Sequence, residues 1–378
     1  MNFNYSEEQG LLKESIVRWA QDNYSFDQRR VGADSAQGFS KDHWNTFAEL
    51  GWLSVPFAEE YGGYGGNVDD VAAVMEEFGK ALVVEPIFST LILFGGVLQN
   101  SSNQSVKAEL IPQIIDGNLI GAVAIYEPHS RFDMSNVSTS AVAQGDNYQI
   151  SGNKSVVLGG RDAAQLIVLA RTSGEQRDED GLSLFLVDAN SAGVTRNSFE
   201  LMDGQQACDI VLSNASGQLV SELGGGYAVV ESAMRTANVA LCAEALGIME
   251  KLNHATVEYT KTRKQFGVAI SNFQALQHRM VDTFMAFEQS KSLLVGALCE
   301  LTDDATDAKQ AEKVVNALRA LTAKNGKLIG DEAIQIHGGM GMTDELAVGN
   351  YVKRLMMINL MFGNGDLFQS QFNQVAYA

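Results

Sequence analysis

The chain has 378 residues, 46% of them hydrophobic and 19% charged. That composition supports a large buried core and excludes a disordered polymer; at roughly 100–200 residues per domain, it suggests two or three domains. Lys and Arg total 27 against 46 Asp and Glu, a formal charge of −19, and such a field excludes nucleic acid and anionic membrane surfaces as partners.

Residues 1–8 lack the basic and apolar regions of a signal peptide. Ser6, followed by Glu7, Glu8 and Gln9, predicts the capped start of an amphipathic helix running through Trp19. A second helix is expected over Lys41 to Leu50, stopping at Gly51. The glycine-rich stretch 51–66 reads as a loop. Its main-chain N–H groups suit phosphate, yet it lacks the Gly-Lys-Ser/Thr of a P-loop. Helices are expected again over 68–80 and 86–98. The apolar run 87–98 is broken by Ser89 and Thr90 and is too short to span a bilayer.

From 119 to about 222 the period changes. Short β-branched or alternating runs at 137–143, 148–150, 155–158, 166–170 and 182–187 are separated by Gly, Asn and Asp, which predicts an antiparallel sheet. The charged stretch 174–181 reads as a surface loop.

From 226 onward helices return. Val230, Met234, Ala237, Leu241, Ala245, Ile248 and Leu252 form one apolar stripe on a helix reaching about Thr262. Two further long helices are expected, over 272–301 and 307–337, the last closed by Gly338 and Gly339. With a shorter helix after them they predict an antiparallel bundle. The fold expected is α+β: an N-terminal all-α domain (1–118), a middle antiparallel β domain (119–225) and a C-terminal four-helix bundle (226–378). Strands do not alternate with helices and no GxGxxG follows a strand, so a parallel dinucleotide-binding sheet is disfavoured.

The three cysteines, Cys208, Cys242 and Cys299, lie far apart. They predict no disulfide framework and fit a reducing cytoplasm. The five histidines show no metal-ligand spacing, so no metal is expected.

Arg263 offers a fixed cation with a planar fork suited to a pyrophosphate, Phe266 offers apolar surface to a ring, and Gly338–Gly339 allow close approach to the main chain. Taken singly, these are also what a surface arginine and a helix cap look like. Five segments in register, however, resemble the acyl-CoA dehydrogenase family. They are Leu50 to Gly66; Glu127-Pro128 with Asp133 and Thr139; Gly152-Asn153-Lys154; Arg263-Lys264-Gln265-Phe266-Gly267 with Phe273-Gln274 and Gln277-His278; and Gln335-Ile336-His337-Gly338-Gly339-Met340-Gly341. The resemblance implies FAD as cofactor. It also implies an acyl-CoA substrate dehydrogenated at its α and β carbons by a glutamate base and the flavin, and an electron-transferring flavoprotein as acceptor. It assigns cofactor contacts to Glu127, Asp133, Arg263, Gln265, Phe266, Gln274, Gln335, Gly338 and Gly339.

The chain departs from the family at the base. Where the family most often has its glutamate stands Gly363, and at the alternative helical position stands Ala237; neither accepts a proton. Glu244 flanks the apolar stripe: it is either a base with a raised pKa or the partner of a Lys or Arg on an adjacent helix. Asp366 is a second candidate. Flavin-side positions also differ, with Tyr126, Phe132 and Val156-Val157-Leu158 in place of hydroxyl-bearing residues. Intact adenosine-side elements beside altered flavin-side and base elements resemble the small subunits of two-gene acyl-CoA dehydrogenases of the pimeloyl-CoA and steroid side-chain types. In those, FAD sits at a heterodimer interface. The reading expected is therefore a subunit needing an unlike partner. The alternatives are a self-sufficient homotetramer with a relocated base, or a family member with altered flavin chemistry such as a monooxygenase or desulfinase.

Overall fold

Ser6 opens the first helix as its sequence foretells: its side chain accepts from the Gln9 N–H while Gln9 reaches back to the Ser6 N–H. In this computed structural model residues 5–377 are described, apart from Asp304 and Asp344. Residues 1–4 and the Asp344 of the 335–346 segment therefore lie outside the described residues.

Helix α1 (Glu7–Asn23) is followed by α2 (Phe26–Ala33), α3 (Lys41–Glu49) and α4 (Val68–Ala81). Asn67 and Asp70 form a second reciprocal cap, at the start of α4. The apolar run expected as an α-helix is instead a π-helix, Ile87–Gly95, every residue of it buried, continued by α5 (Gly96–Asn100) and α6 (Gln104–Ile115). The strands are β1 (Gly121–Ala124), β2 (Ser140–Gln144), β3 (Asn147–Leu158), β4 (Gln165–Arg171), β5 (Leu182–Asp188), β6 (Val194–Glu200) and β7 (Gln206–Leu219). Then come α7 (Gly226–Thr262), a small hairpin of β8 (Lys264–Gln265) and β9 (Val268–Ala269), and the helices α8 (Gln274–Leu301), α9 (Ala308–His337), α10 (Val348–Leu360) and α11 (Gly365–Tyr377).

Contacts group the chain into two compact units, residues 1–29, 67–83 and 238–378 in the first and 30–66 and 84–237 in the second. The stretch expected as one N-terminal helical domain contributes to both.

In the first unit α9 packs against α8, α10 and α11, a helical bundle of the kind expected for this region. Helices α4 and α7 cross with their backbones touching: a Cβ on Gly79 would overlap the Glu244 carbonyl, and a Cβ on Gly247 the Glu76 carbonyl. Only glycine at both places allows that approach. Beside the crossing, Lys80 bridges Glu76, Glu77 and Glu250, and Lys13 reaches Glu76 and Glu77.

In the second unit the sheet is mixed, not antiparallel as expected, because β1 pairs parallel with β4. The order is β1-β4-β2-β3-β7-β5 with β6 on β7, and β5 also pairs β4, so the sheet curls back on itself. Alternate residues such as Val168, Phe185, Ile210 and Ile150 point into one core. The runs 148–150 and 155–158 are one strand. Ser151-Gly152-Asn153 looks like a turn in sequence but is strand carried past a bulge, and Gly152 stands there because Thr139 occupies the space a Cβ would need.

Candidate cofactor and substrate site

At the end of α7 the chain turns through the β8–β9 hairpin. Phe266 and Gly267 make the turn, with φ of 54° and 82°. Glycine adopts that region freely, whereas a bulky L-residue does so at a cost of roughly 1–2 kcal/mol. Phe266 is also 91% exposed and meets Phe273 edge-on at 6.1 Å. A strained, solvent-exposed aromatic tip is built for contact with something outside the fold. Arg263, Gln265 and Gln274 are exposed around it. Gln277 Nε2 donates to the Ser271 carbonyl at 2.8 Å and steadies the entry into α8.

Helix α9 ends at His337, and Gly338 breaks it with φ 60° and ψ −138°. A Cβ on Gly338 or Gly339 would meet nothing within 4 Å, so the main chain is open to an approaching group. Gln335 is exposed in the turn before. Tyr259 joins the two segments: its ring stacks on His337 at 4.4 Å and its hydroxyl donates to the His337 carbonyl at 3.3 Å. Arg263 follows Tyr259 by one helical turn and Gly338 follows His337 directly, so the two segments, far apart in sequence, share one anchor. An exposed guanidinium, an exposed ring and bare main chain suit a phosphate-bearing ligand with a flat heterocycle.

In the second unit Glu127 is buried and every hydrogen bond it accepts comes from within the loop or from Lys154. Oε1 takes the Thr139 N–H at 2.9 Å and Lys154 Nζ at 3.0 Å; Oε2 takes the Ser138 N–H at 2.9 Å and the Ser138 hydroxyl. Lys154, fully buried, also donates to the Ile125 carbonyl at 2.8 Å. Burial alone would raise the Glu127 carboxyl. Lys154 and the donors from Ser138 and Thr139 outweigh it and hold the carboxyl down at about 2. Burial pushes the Lys154 ammonium down to about 8 against the pull of Glu127, so the pair stays ionised at neutral pH. Asp133 Oδ1 accepts from the Ser135 N–H and hydroxyl at 3.0 and 2.6 Å. Both carboxylates, expected as direct cofactor contacts, thus shape the 127–139 loop from within. Val156, expected on the flavin side, sits on the second bulge of β3 with φ 53°, half-exposed, its N–H on Asp209.

Residues 6–118, 122–215 and 224–376 match, in order, the N-terminal, middle and C-terminal domains of acyl-CoA dehydrogenases. The chain belongs to the acyl-CoA dehydrogenase family. This is a family of flavoprotein oxidoreductases. A probable acyl-CoA dehydrogenase of Bacillus subtilis, YngJ, is 26% identical over 97% of each chain. Among solved structures, a variant of the Tcur3481-Tcur3483 steroid acyl-CoA dehydrogenase is 25% identical over 98% of each chain, with a TM-score of 0.88. PigA with FAD and proline is 25% identical, covers 100% of this chain and 99% of that one, and has a TM-score of 0.91. Among the described residues no helix is long and apolar enough to cross a membrane, and no cluster of side chains is set to hold a metal.

At Gly363, where the sequence resemblance expects a glutamate, two side chains crowd the main chain. Gly363 has φ 144°, and a Cβ there would press on Leu367 and on the Phe368 ring at 3.0 Å. Arg319, 2% exposed, donates to the carbonyls of Ile358 at 3.0 Å and Met361 at 2.6 Å and lies over the Phe368 ring at 4.7 Å. Ala237, the other position at which the resemblance expects a base, is wholly buried and apolar. Glu244 is buried and held by Arg354, which donates to both its oxygens, at 2.6 and 2.8 Å. Of the two readings that the sequence leaves open for Glu244, the structure realises the ion pair. Asp366 lies in the first turn of α11. The sequence reading passes over Arg319 and Arg354 as functional residues. The signal for them is an arginine recurring on the inward face of an otherwise apolar helix.

Proposed function

We propose that this chain is one subunit of a heteromeric FAD-dependent acyl-CoA dehydrogenase, and that an unlike family member supplies the base. The reaction is α,β-dehydrogenation of an acyl-CoA thioester. The observation that carries this reading is the lack of an acceptor at Gly363, crowded by the Leu367 and Phe368 side chains, together with an open, exposed β8–β9 hairpin and α9 terminus.

The open hairpin and glycines fit FAD: Arg263 would hold its pyrophosphate, Phe266 would cover a ring, and Gly338–Gly339 would let the ligand reach main-chain atoms. FAD, when bound, supplies the hydride acceptor. The chain's own remaining tasks are positional. The Glu127–Lys154 pair sets the 127–139 loop, and the Arg319 and Arg354 contacts hold the 358–363 segment in place. Proton removal at the α carbon needs a carboxylate free to accept, and neither Gly363 nor Ala237 has one, while Glu244 is bound to Arg354. A two-chain arrangement is supported by the steroid dehydrogenase neighbour, whose description names two chains. Electrons then pass to an electron-transferring flavoprotein. The cysteines are free, in keeping with a reducing cytoplasm.

The test is FAD content, native mass and dehydrogenase activity of the chain alone and co-expressed with a family member that carries the C-terminal glutamate. Little FAD and no activity alone, with both restored in the complex, is expected. Full FAD occupancy and turnover by the chain alone would overturn the proposal.

A further inference from the structure

The first unit contains a cavity of about 650 Å³ walled by α1, α4, α7 and α10. That is within the range of about 300–1,000 Å³ typical of small-molecule sites. Its surface is largely aromatic and aliphatic: Tyr24, Phe26, Tyr259 and Tyr351 face it together with Leu82 and Val348. Its charged lining residues are Glu77, Lys80, Glu250 and Lys251, two of each sign. Lys80 is ion-paired with Glu77 at 3.0 Å and with Glu250 at 2.9 Å. The lining therefore carries no net charge to attract an ionic ligand.

Of the uncharged polar side chains in the wall other than the tyrosines, Gln21, Ser25 and His254 are exposed, while His337 is buried. His337 is 4% exposed and its ring forms part of the wall. Its Nδ1 lies 2.8 Å from the Ala333 carbonyl. A carbonyl only accepts, so Nδ1 carries the proton and Nε2 is left as an acceptor. Burial lowers the pKa of the imidazole and keeps it neutral. Among the described residues nothing donates to Nε2. Nε2 is reachable from the cavity, so a ligand that brings a donor gains a hydrogen bond there.

We propose that this cavity binds a neutral, ring-containing small molecule with one hydroxyl, which donates to His337 Nε2 while its rings pack among the tyrosines. The cavity shares Tyr259 and His337 with the anchor that joins the Arg263 and Gly338 segments, but its binding of such a molecule does not rest on the dehydrogenation proposed above.

The probe is 2-naphthol, whose fluorescence reports its binding to the purified protein in whatever complex it is isolated. Saturable binding at one site per chain is expected. The methyl ether, 2-methoxynaphthalene, has the same rings but no donor and binds about tenfold more weakly. The anion 2-naphthoate is also weaker. Ala255→Trp, from the cavity wall, fills the space and removes saturable binding of both neutral probes. His337→Phe keeps the ring-lined space and abolishes the preference for naphthol over its ether. The second variant decides the matter if the first fails to fold. Equal affinity of naphthol and ether for the wild-type protein, absence of saturable naphthol binding, or binding that persists in a folded Ala255→Trp protein would overturn the proposal.

Discussion

Arg354 grips Glu244 with two nitrogens, Nε at 2.6 Å and Nη2 at 2.8 Å, both side chains being more than nine-tenths buried. The grip forms where α7 passes α4, since the Glu244 carbonyl also fills the space beside Gly79. A carboxylate so placed joins α7 to α10.

Replacing Glu244 with Gln removes a counter-charge that a buried guanidinium holds with two nitrogens. Such a loss costs about 3–5 kcal/mol. Denaturant unfolding of Glu244→Gln is expected to show that drop, with the double variant Glu244→Gln, Arg354→Met recovering part of it. A variant as stable as the parent but catalytically dead within the complex would instead restore Glu244 as the base.

Restoring a glutamate at Gly363 is expected to fail. With φ of 144° and the Leu367 and Phe368 side chains at 3.0 Å, a Cβ is strained and fits only if those side chains give way, and a side chain forced into such backbone costs about 1–3 kcal/mol. Gly363→Glu lowers the unfolding temperature and gives no dehydrogenase activity to the chain alone. Turnover appearing in that single variant would show that the segment opens.

The Glu127–Lys154 pair sets an acid limit on stability. The folded carboxyl titrates at about 2, below its ordinary value, so the native state binds fewer protons than the unfolded state between the two values. The stabilisation is present above the ordinary carboxylate pKa and is lost as pH falls towards 2, an effect of about 3 kcal/mol. Urea midpoints measured from pH 6 down to pH 2.5 should fall over that window, and the fall should flatten in Glu127→Gln. That variant is itself less stable at pH 7, because Lys154 loses its partner.

Phe266 is 91% exposed, so Phe266→Ala is expected to change folding stability by no more than about 0.5 kcal/mol. Its effect falls on FAD retention: the complex with the partner chain loses bound flavin on gel filtration where the parent keeps it. Unchanged retention would remove Phe266 from the cofactor site.

Much of this protein is written locally. Ser6 and Gln9, Asn67 and Asp70, and the serine or aspartate before α3 and α9 mark helix starts because a cap needs only residues a turn apart. The stripe through Val230 and Leu252 reports a buried helix face for the same reason. The strands missed were those whose sequence hides them. Gly121–Ala124 is four residues buried on both faces, without alternation; Val194–Glu200 is mostly exposed and polar; and Gln206–Leu219 contains the Asn214 and Gly217 that elsewhere punctuate turns. Pairing is not local either, and so the parallel β1–β4 pair turned an expected antiparallel sheet into a mixed one.

The sequence by itself determined the family register, the order of helical and β segments, and the absence of a proton acceptor at positions 363 and 237, since each is a statement about residue identity. Only the tertiary structure decided that Glu244 belongs to Arg354, that Glu127 faces Lys154, that Tyr259 ties Arg263 to Gly338, and that Leu367 and Phe368 crowd Gly363. Whether a carboxylate is a free base or half of an ion pair depends on which charge lies within hydrogen-bond reach. For Glu244 that charge lies on a helix more than a hundred residues away.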